Sequence, residues 1–236
     1  MSTSPLPLLS PQELAQGPAT LCIGVDEAGR GCLAGPVVAA CVWLPATLPP
    51  ELARVDDSKK IAEPLRRDLA LAIRQHALAF GVGYSWPREI DAVNILNATF
   101  RAMSRACLAL YAQVRHQSPA FHQGSAGTVL PSAHTLPLAI DGNKTIAAPH
   151  WRACSALPLP VQAAYVDGDA RFVPIAAASI LAKTVRDALM ARLAERFPVY
   201  GLAAHKGYGT KAHIAAISAH GPCRLHRLTF RKVKPE

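Results

Sequence analysis

The chain has 236 residues, half of them hydrophobic and 17% charged, which suits one sizeable domain and excludes wholesale disorder. Its 25 Lys and Arg outweigh 16 Asp and Glu to give a formal net charge of +9, a balance that favours an anionic partner, nucleic acid being the commonest. Six cysteines (Cys22, Cys32, Cys41, Cys107, Cys154 and Cys223) form no Cys-x-x-Cys and no zinc-finger spacing, so they read as reduced thiols rather than a zinc module.

Met1 to Pro18 is rich in Ser and Pro and reads as a flexible leader, not as a signal peptide. Leu21 to Val25 is a short apolar run closed by Asp26-Glu27 and a Gly-rich turn, and Pro36 to Leu44 follows as a second strand. Asp56-Asp57-Ser58-Lys59-Lys60 is a polar crossing. Leu65, Leu69, Ile73, Ala77 and Phe80 recur at helical spacing after Pro64, which predicts a helix over 65–80. Gly81 to Trp86 is a third strand, and Glu89 to Val114 is helical, in one piece or two. Gln117 to Thr135 lacks periodicity and reads as a surface insertion.

Leu136 to Ile140 is a strand ending in Asp141-Gly142-Asn143, and Val161 to Val166 another ending in Asp167-Gly168-Asp169. A strong helix follows, with Ile175, Ala178, Ala182, Val185, Leu189 and Leu193 on one face and Pro174 in its first turn. A last helix spans about Lys211 to His220, stopped by Gly221-Pro222, before a basic tail from Arg224 to Lys234. No repeat is evident, and no apolar stretch is long enough to span a bilayer, so a cytoplasmic protein is expected. Strands and helices intermix as in an α/β protein with a mixed sheet.

Three apolar strands end in acid, at Asp26-Glu27, Asp141 and Asp169, in a chain otherwise rich in base. One such acid is ordinarily a turn or cap residue, and Gly142-Asn143 and Gly168 suit that reading. If the strand ends adjoin, the like charges raise one another's pKa until a cation relieves them, and magnesium or manganese suits oxygen ligands. Two such ions about 4 Å apart can clamp the attacking and leaving oxygens of a phosphodiester. Adjacent strand residues face opposite ways, so Asp26 and Glu27 share one site only if the strand ends or bulges there, which Gly29 and Gly31 would permit.

Val25-Asp26-Glu27-Ala28-Gly29-Arg30-Gly31 resembles the opening motif of the ribonuclease HII family, the bacterial type II RNase H. Asp57-Ser58-Lys59-Lys60, Glu89-Ile90-Asp91, Asn94-Ile95-Leu96, Ile140-Asp141-Gly142-Asn143, Ala176-Ala177-Ala178-Ser179-Ile180-Leu181-Ala182-Lys183 and His205-Lys206-Gly207-Tyr208-Gly209-Thr210 resemble the family's further blocks, in its order. The resemblance runs from about Leu21 to the basic tail. It implies an RNase H-like mixed β-sheet flanked by helices, spanning 19–200, with a small helical C-terminal part over 201–236.

It also implies an endoribonuclease of ribonuclease H type that cuts the RNA strand of RNA–DNA hybrids and cuts at ribonucleotides embedded in duplex DNA. The cut would leave 5′-phosphate and 3′-hydroxyl ends, with Mg2+ or Mn2+ as cofactor and two ions present with substrate. Asp26, Glu27, Asp141 and Asp169 would be the catalytic, metal-holding acids. Gly29-Arg30-Gly31 would contact the ribose 2′-hydroxyl, and Tyr208 would stack on the deoxyribose after the junction. Lys59, Lys60, Lys183, Arg186 and Lys206 would meet phosphates, with Ser179 and Thr210 as weaker candidates that capping also explains. A monomer is expected. Asp167 stands where the family usually carries lysine, and 117–135 is longer than its usual connection.

Three other readings differ in kind. A resolvase or ribonuclease HIII-like enzyme would share the sheet, but Gly29-Arg30-Gly31 and Tyr208 favour a junction cutter. A non-catalytic hybrid binder would leave four acids facing an anion. A dinucleotide enzyme lacks its Gly-x-Gly-x-x-Gly spacing here.

Overall fold

The structure is a computed structural model that describes residues 22–116 and 133–233. The expected leader and nearly all of the expected insertion lie outside the described residues; of the insertion, Ala133–Thr135 form a 3₁₀ turn. Five strands form one mixed sheet: β1 (Ile23–Ala28), β2 (Val37–Trp43), β3 (Ala79–Ser85), β4 (Leu138–Asp141) and β5 (Gln162–Tyr165), in the order β3-β2-β1-β4-β5. β1 pairs antiparallel with β2 and β2 antiparallel with β3, whereas β4 lies parallel to β1 and to β5. The apolar run of β2 is buried at every residue, as a strand covered on both faces requires.

Helices α1 (Glu63–His76), α2 (Pro87–Val93), α3 (Ile95–His116), α4 (Ala148–Arg152), α5 (Val173–Arg196), α6 (Leu202–His205) and α7 (Lys211–His220) complete the order. α3 covers one face through Ala98, Ala102, Ala106 and Leu110, packed on Ile23, Val25, Val37 and Cys41. α1 and α5 cover the other face, where Leu69 and Ile73 join Ala176, Ile180 and Leu181 over Ala40 and Val42. The predicted helix over 65–80 ends at His76, because Phe80 belongs to the edge strand β3. The helical stretch after Glu89 falls in two pieces at Asn94, whose φ of 68° ends α2 and whose side chain caps α3 through Asn97 N–H at 3.1 Å.

α5 departs most from its predicted one-faced pattern. Its residues Val173–Ala182 are all buried, so this half is a core helix on every side. Gly24 permits that depth: a Cβ there would lie 2.1 Å from the carbonyl oxygen of Pro174. The C-terminal part closes over the far half of α5, with Tyr200, Leu202 and Leu225 packed on Met190 and Ala34. Within the basic segment after α7, Arg227 is fully buried and Val233 nearly so.

Candidate active site

Strand alternation places the first two acids. Ile23 and Val25 point into the core under α3, so Asp26 points the other way, toward α5. On β4, Leu138 and Ile140 face α3, which turns Asp141 to the α5 side. Val25 and Ile140 are register partners in the parallel pair, so Asp26 and Asp141 follow them side by side on neighbouring strands. Asp169 arrives from a 3₁₀ turn (Gly168–Ala170) between β5 and α5 rather than from a strand end, as the sequence pattern had suggested. Its backbone N–H donates to Asp141 Oδ1 at 3.3 Å. Carboxylate oxygens of Asp26, Asp141 and Asp169 lie within 4.8 Å of one another, with Asp26 and Asp169 buried.

Such crowding raises the affinity for positive charge. Burial, followed by the charges of Glu27 and Asp141, pushes the Asp26 carboxyl well above its ordinary range. Burial and then the charge of Asp169 raise Asp141. Lys59 reaches in from the 56–60 crossing and sets its ammonium 3.0 Å from Asp169 Oδ2. Partial burial works against that ammonium, but Asp169, Asp57 and Asp26 outweigh it and hold the Lys59 pKa up.

Glu27 lies beside these three acids. β1 continues through Ala28 in unbroken register with β2, so its pairing shows no break at Asp26-Glu27. Glu27 pairs with Arg30 at 3.2 Å and is not one of the three clustered ligands, although its charge still reaches Asp26 and Asp141. Burial is also the largest influence raising its own pKa, with Arg30 opposing.

The loop carrying Lys59 is braced from below. Ser58 Oγ lies 2.9 Å from Ser179 Oγ on α5, and Ser179 in turn hydrogen-bonds the Asp26 carboxylate. Arg66 of α1 donates to the carbonyls of Ser58 and Ile61 and pairs with Asp187 at 3.3 Å. Asp187 also holds Lys183 at 2.8 Å.

Two buried arginines shape the turn after β1. Gly29 has φ 93° and no room for a side chain, since a Cβ would sit 2.0 Å from Arg186 Nε. Arg186 is fully buried and donates to the carbonyls of Pro36, Ala34 and Lys206, so it is a scaffold rather than the phosphate contact expected of it. Arg227 donates to the carbonyls of Gly29, Arg30 and Gly35. This clamp leaves Arg30 and Gly31 exposed. Leu33 N–H donates to Gly207 O at 2.8 Å, which sets the exposed Tyr208 beside the loop. Lys183 Nζ stands 5.5 Å from the Tyr208 ring centre.

The family model described as Ribonuclease HII matches residues 23–125 and 134–233. The chain belongs to the ribonuclease HII family. Among curated relatives, Ribonuclease HII of Oleidesulfovibrio alaskensis is 50% identical over 222 residues, 90% of this chain and 79% of its own length. Ribonuclease HII of Nitratidesulfovibrio vulgaris is 50% identical over 214 residues, 90% of this chain and 86% of its own. Among solved structures, ribonuclease H2 of Pyrococcus horikoshii superposes with a TM-score of 0.65 at 21% identity, covering 91% of this chain and 96% of that one. Bst-RNase HIII, solved in complex with Mn2+, gives 0.66 at 21% identity, covering 94% and 70%. At these identities the two structures speak for the shared fold.

The remaining expected substrate residues already have partners within the fold. The exposed Lys60 pairs with the half-buried Asp56 at 3.6 Å, and Lys206, with φ 50°, turns its ammonium to the Ala203 carbonyl. Thr210 accepts from His213 N–H at 3.2 Å and is the N-cap of α7. Asp167, where the family usually carries lysine, is exposed in a left-handed conformation with φ 53°. The sequence reading missed Arg66, Asp187 and Arg227. Nothing in a basic chain marks a buried arginine before the carbonyls around it are known. Among the described residues no helix is long and apolar enough to cross a membrane.

Proposed function

We propose that the cluster of Asp26, Asp141 and Asp169, with Glu27 beside it, holds Mg2+ or Mn2+ and hydrolyses RNA within RNA–DNA hybrids and at single ribonucleotides in duplex DNA. The observation that carries this reading is the convergence of three carboxylates within 4.8 Å, two of them buried, with a lysine ammonium already drawn to one. Three hard oxygen ligands without sulfur or imidazole suit a small divalent cation. An ion bound there would polarise the scissile phosphate and lower the pKa of the attacking water, two being needed to clamp both attacking and leaving oxygens.

The chain's own residues do the rest. Asp26 is oriented by Ser179 and by Glu27 N–H, which donates to Asp26 Oδ1 at 2.7 Å, while Asp141 is oriented by Asp169 N–H. Arg30 and Gly31 are exposed on a loop whose Gly29 and Arg30 carbonyls are committed to Arg227, which holds the exposed backbone where a ribose 2′-hydroxyl can meet it. Tyr208 offers its ring to the neighbouring sugar, and Lys59, Lys60, Lys183 and Lys206 supply positive charge along the strand. We place the catalytic part over 19–200 and the substrate-positioning C-terminal part over 201–236, in a monomer acting in the cytoplasm.

The test is a purified-protein digest of duplex DNA bearing one ribonucleotide, with Mg2+, Mn2+ or a chelator. Cleavage at the ribonucleotide leaving 3′-hydroxyl and 5′-phosphate ends, lost in chelator, is the expected result. Intact substrate in both metals, or cutting that survives chelation, would overturn the reading.

A further inference from the structure

Behind Tyr208, in the C-terminal part, three histidine rings and a tyrosine lie in mutual contact. His213 of α7 stacks on His205 at 4.4 Å between ring centres, and Tyr200 meets His226 edge-on at 4.7 Å. His213 and His226 are both buried, and their Nε2 atoms face each other at 3.1 Å. Two ring nitrogens at that distance need one proton between them, and the outer contacts decide whose it is.

Tyr208 O lies 3.0 Å from His213 Nδ1, and a carbonyl only accepts, so His213 carries its proton on Nδ1. Cys223 N–H donates to His226 Nδ1 at 2.9 Å, whereas the Cys223 carbonyl, 3.3 Å from the same ring nitrogen, already accepts from the His226 backbone N–H at 2.9 Å. His226 therefore carries its proton on Nε2 and donates it to the bare Nε2 of His213. The chain runs in one direction: Cys223 N–H to His226, His226 to His213, His213 to the Tyr208 carbonyl. His205 is fixed in the same way, accepting from Gly207 N–H at 3.2 Å and donating to Tyr200 O at 2.8 Å.

We propose that His226, acting through His213, is a positioning residue that holds Tyr208 against the substrate by this one-proton hydrogen-bond chain. The inference rests on the substrate role given to Tyr208 under the proposed function. A second proton would set N–H against N–H, across the Nε2 pair at 3.1 Å if it went to His213 or against Cys223 N–H at 2.9 Å if it went to His226, and either would push apart the rings that hold the Tyr208 carbonyl. The surroundings resist that proton. His205, Tyr200 and Cys223 are the titratable groups packed on the pair, the guanidinium of the adjacent Arg227 is directed at the loop carbonyls, and His220 lies beyond Tyr200. No carboxylate among the described residues offsets a charge on either ring. Burial accordingly lowers His213, and burial followed by the His213 charge brings His226 to about 4. The chain is intact above the ordinary histidine value of 6.5 and opens as pH falls toward 4.

Ring-nitrogen NMR of the full-length protein at pH 7.5 tests the chain without any cleavage assay. A Nδ1-protonated His213 and a Nε2-protonated His226 are expected; the opposite tautomers, or an imidazolium on either ring, would overturn the proposal. Cleavage kinetics then test its use. His213→Phe should raise KM for single-ribonucleotide duplex about tenfold with a kcat change under about twofold, and His213→Asn, whose amide can replace the Nδ1 donor, should recover most of it. Wild type should lose single-ribonucleotide cutting relative to long-hybrid cutting as pH falls toward 4, and His213→Asn should not. An unchanged KM in the folded Phe variant, or a wild-type ratio flat with pH, would refute the positioning role. If no substrate is cut by any protein, the proposed function fails, while the NMR spectrum still judges the chain.

Discussion

Asp26 is held against its own electrostatics. Its carboxylate is buried, faces Asp141 and sits next in sequence to Glu27, so an anion there costs folding energy until a cation arrives. Asp26→Asn keeps the oxygen that accepts from Glu27 N–H and removes the charge. It should raise the metal-free melting temperature, by the equivalent of about 1–3 kcal/mol for a buried charge relieved. It should also abolish most cleavage and erase the further stabilisation that Mn2+ gives wild type, both readable by thermal denaturation with and without the ion. Tyr208→Ala should lower cutting at a single ribonucleotide more than it lowers hybrid affinity, measured by kinetics and by equilibrium binding. Equal losses would argue against ring stacking. Asp26 and Asp141 were legible because acid ends on apolar strands stand out, and Asp169 was picked out by the same pattern although a 3₁₀ turn carries it. The pairing of Glu27 with Arg30 was not legible, since it depends on how the chain turns after β1. Nor could the sequence tell Arg186, spent on three carbonyls, from a solvated arginine.

At the scale of elements, α2 is tied to α3 by Glu89, which accepts from Arg101 and twice from Arg105. Burial opposes that charge, but the hydrogen bonds from Arg105, Ser85 and Arg101 outweigh it and hold the Glu89 carboxyl at about 2, below its ordinary 4.5. A depressed carboxyl stabilises the fold fully above its unfolded value and loses that contribution as pH falls through its folded one. Glu89→Gln should therefore cost about 1–3 kcal/mol at pH 7, the difference shrinking between roughly pH 4.5 and 2, by urea denaturation across pH. Most elements were legible from periodicity and punctuation, as Gly221 stopping α7 shows, whereas the break at Asn94 between α2 and α3 was not placed. The N-terminal half of α5 was misread as one-faced, because a run of small apolar residues carries no period when every side is covered.

Over the whole molecule, a central parallel pair, β1 and β4, delivers two acids to one end of the sheet, and the turn before α5 adds the third. The C-terminal part folds back over α5 to set Arg227 under the β1 turn and Tyr208 beside it. A net charge of +9 surrounds this small acidic point, as suits a site that must hold cations and a polyanion together. The acids, the exposed loop and the order of blocks were visible in the chain, while the clamp that fixes the loop spans about two hundred residues and emerges only on folding. Manganese-edge anomalous diffraction from crystals of the protein soaked in Mn2+ tests the shared site most directly. A peak within bonding distance of carboxylate oxygens of Asp26, Asp141 and Asp169 is the expected result; strong peaks elsewhere with none among these three would contradict it.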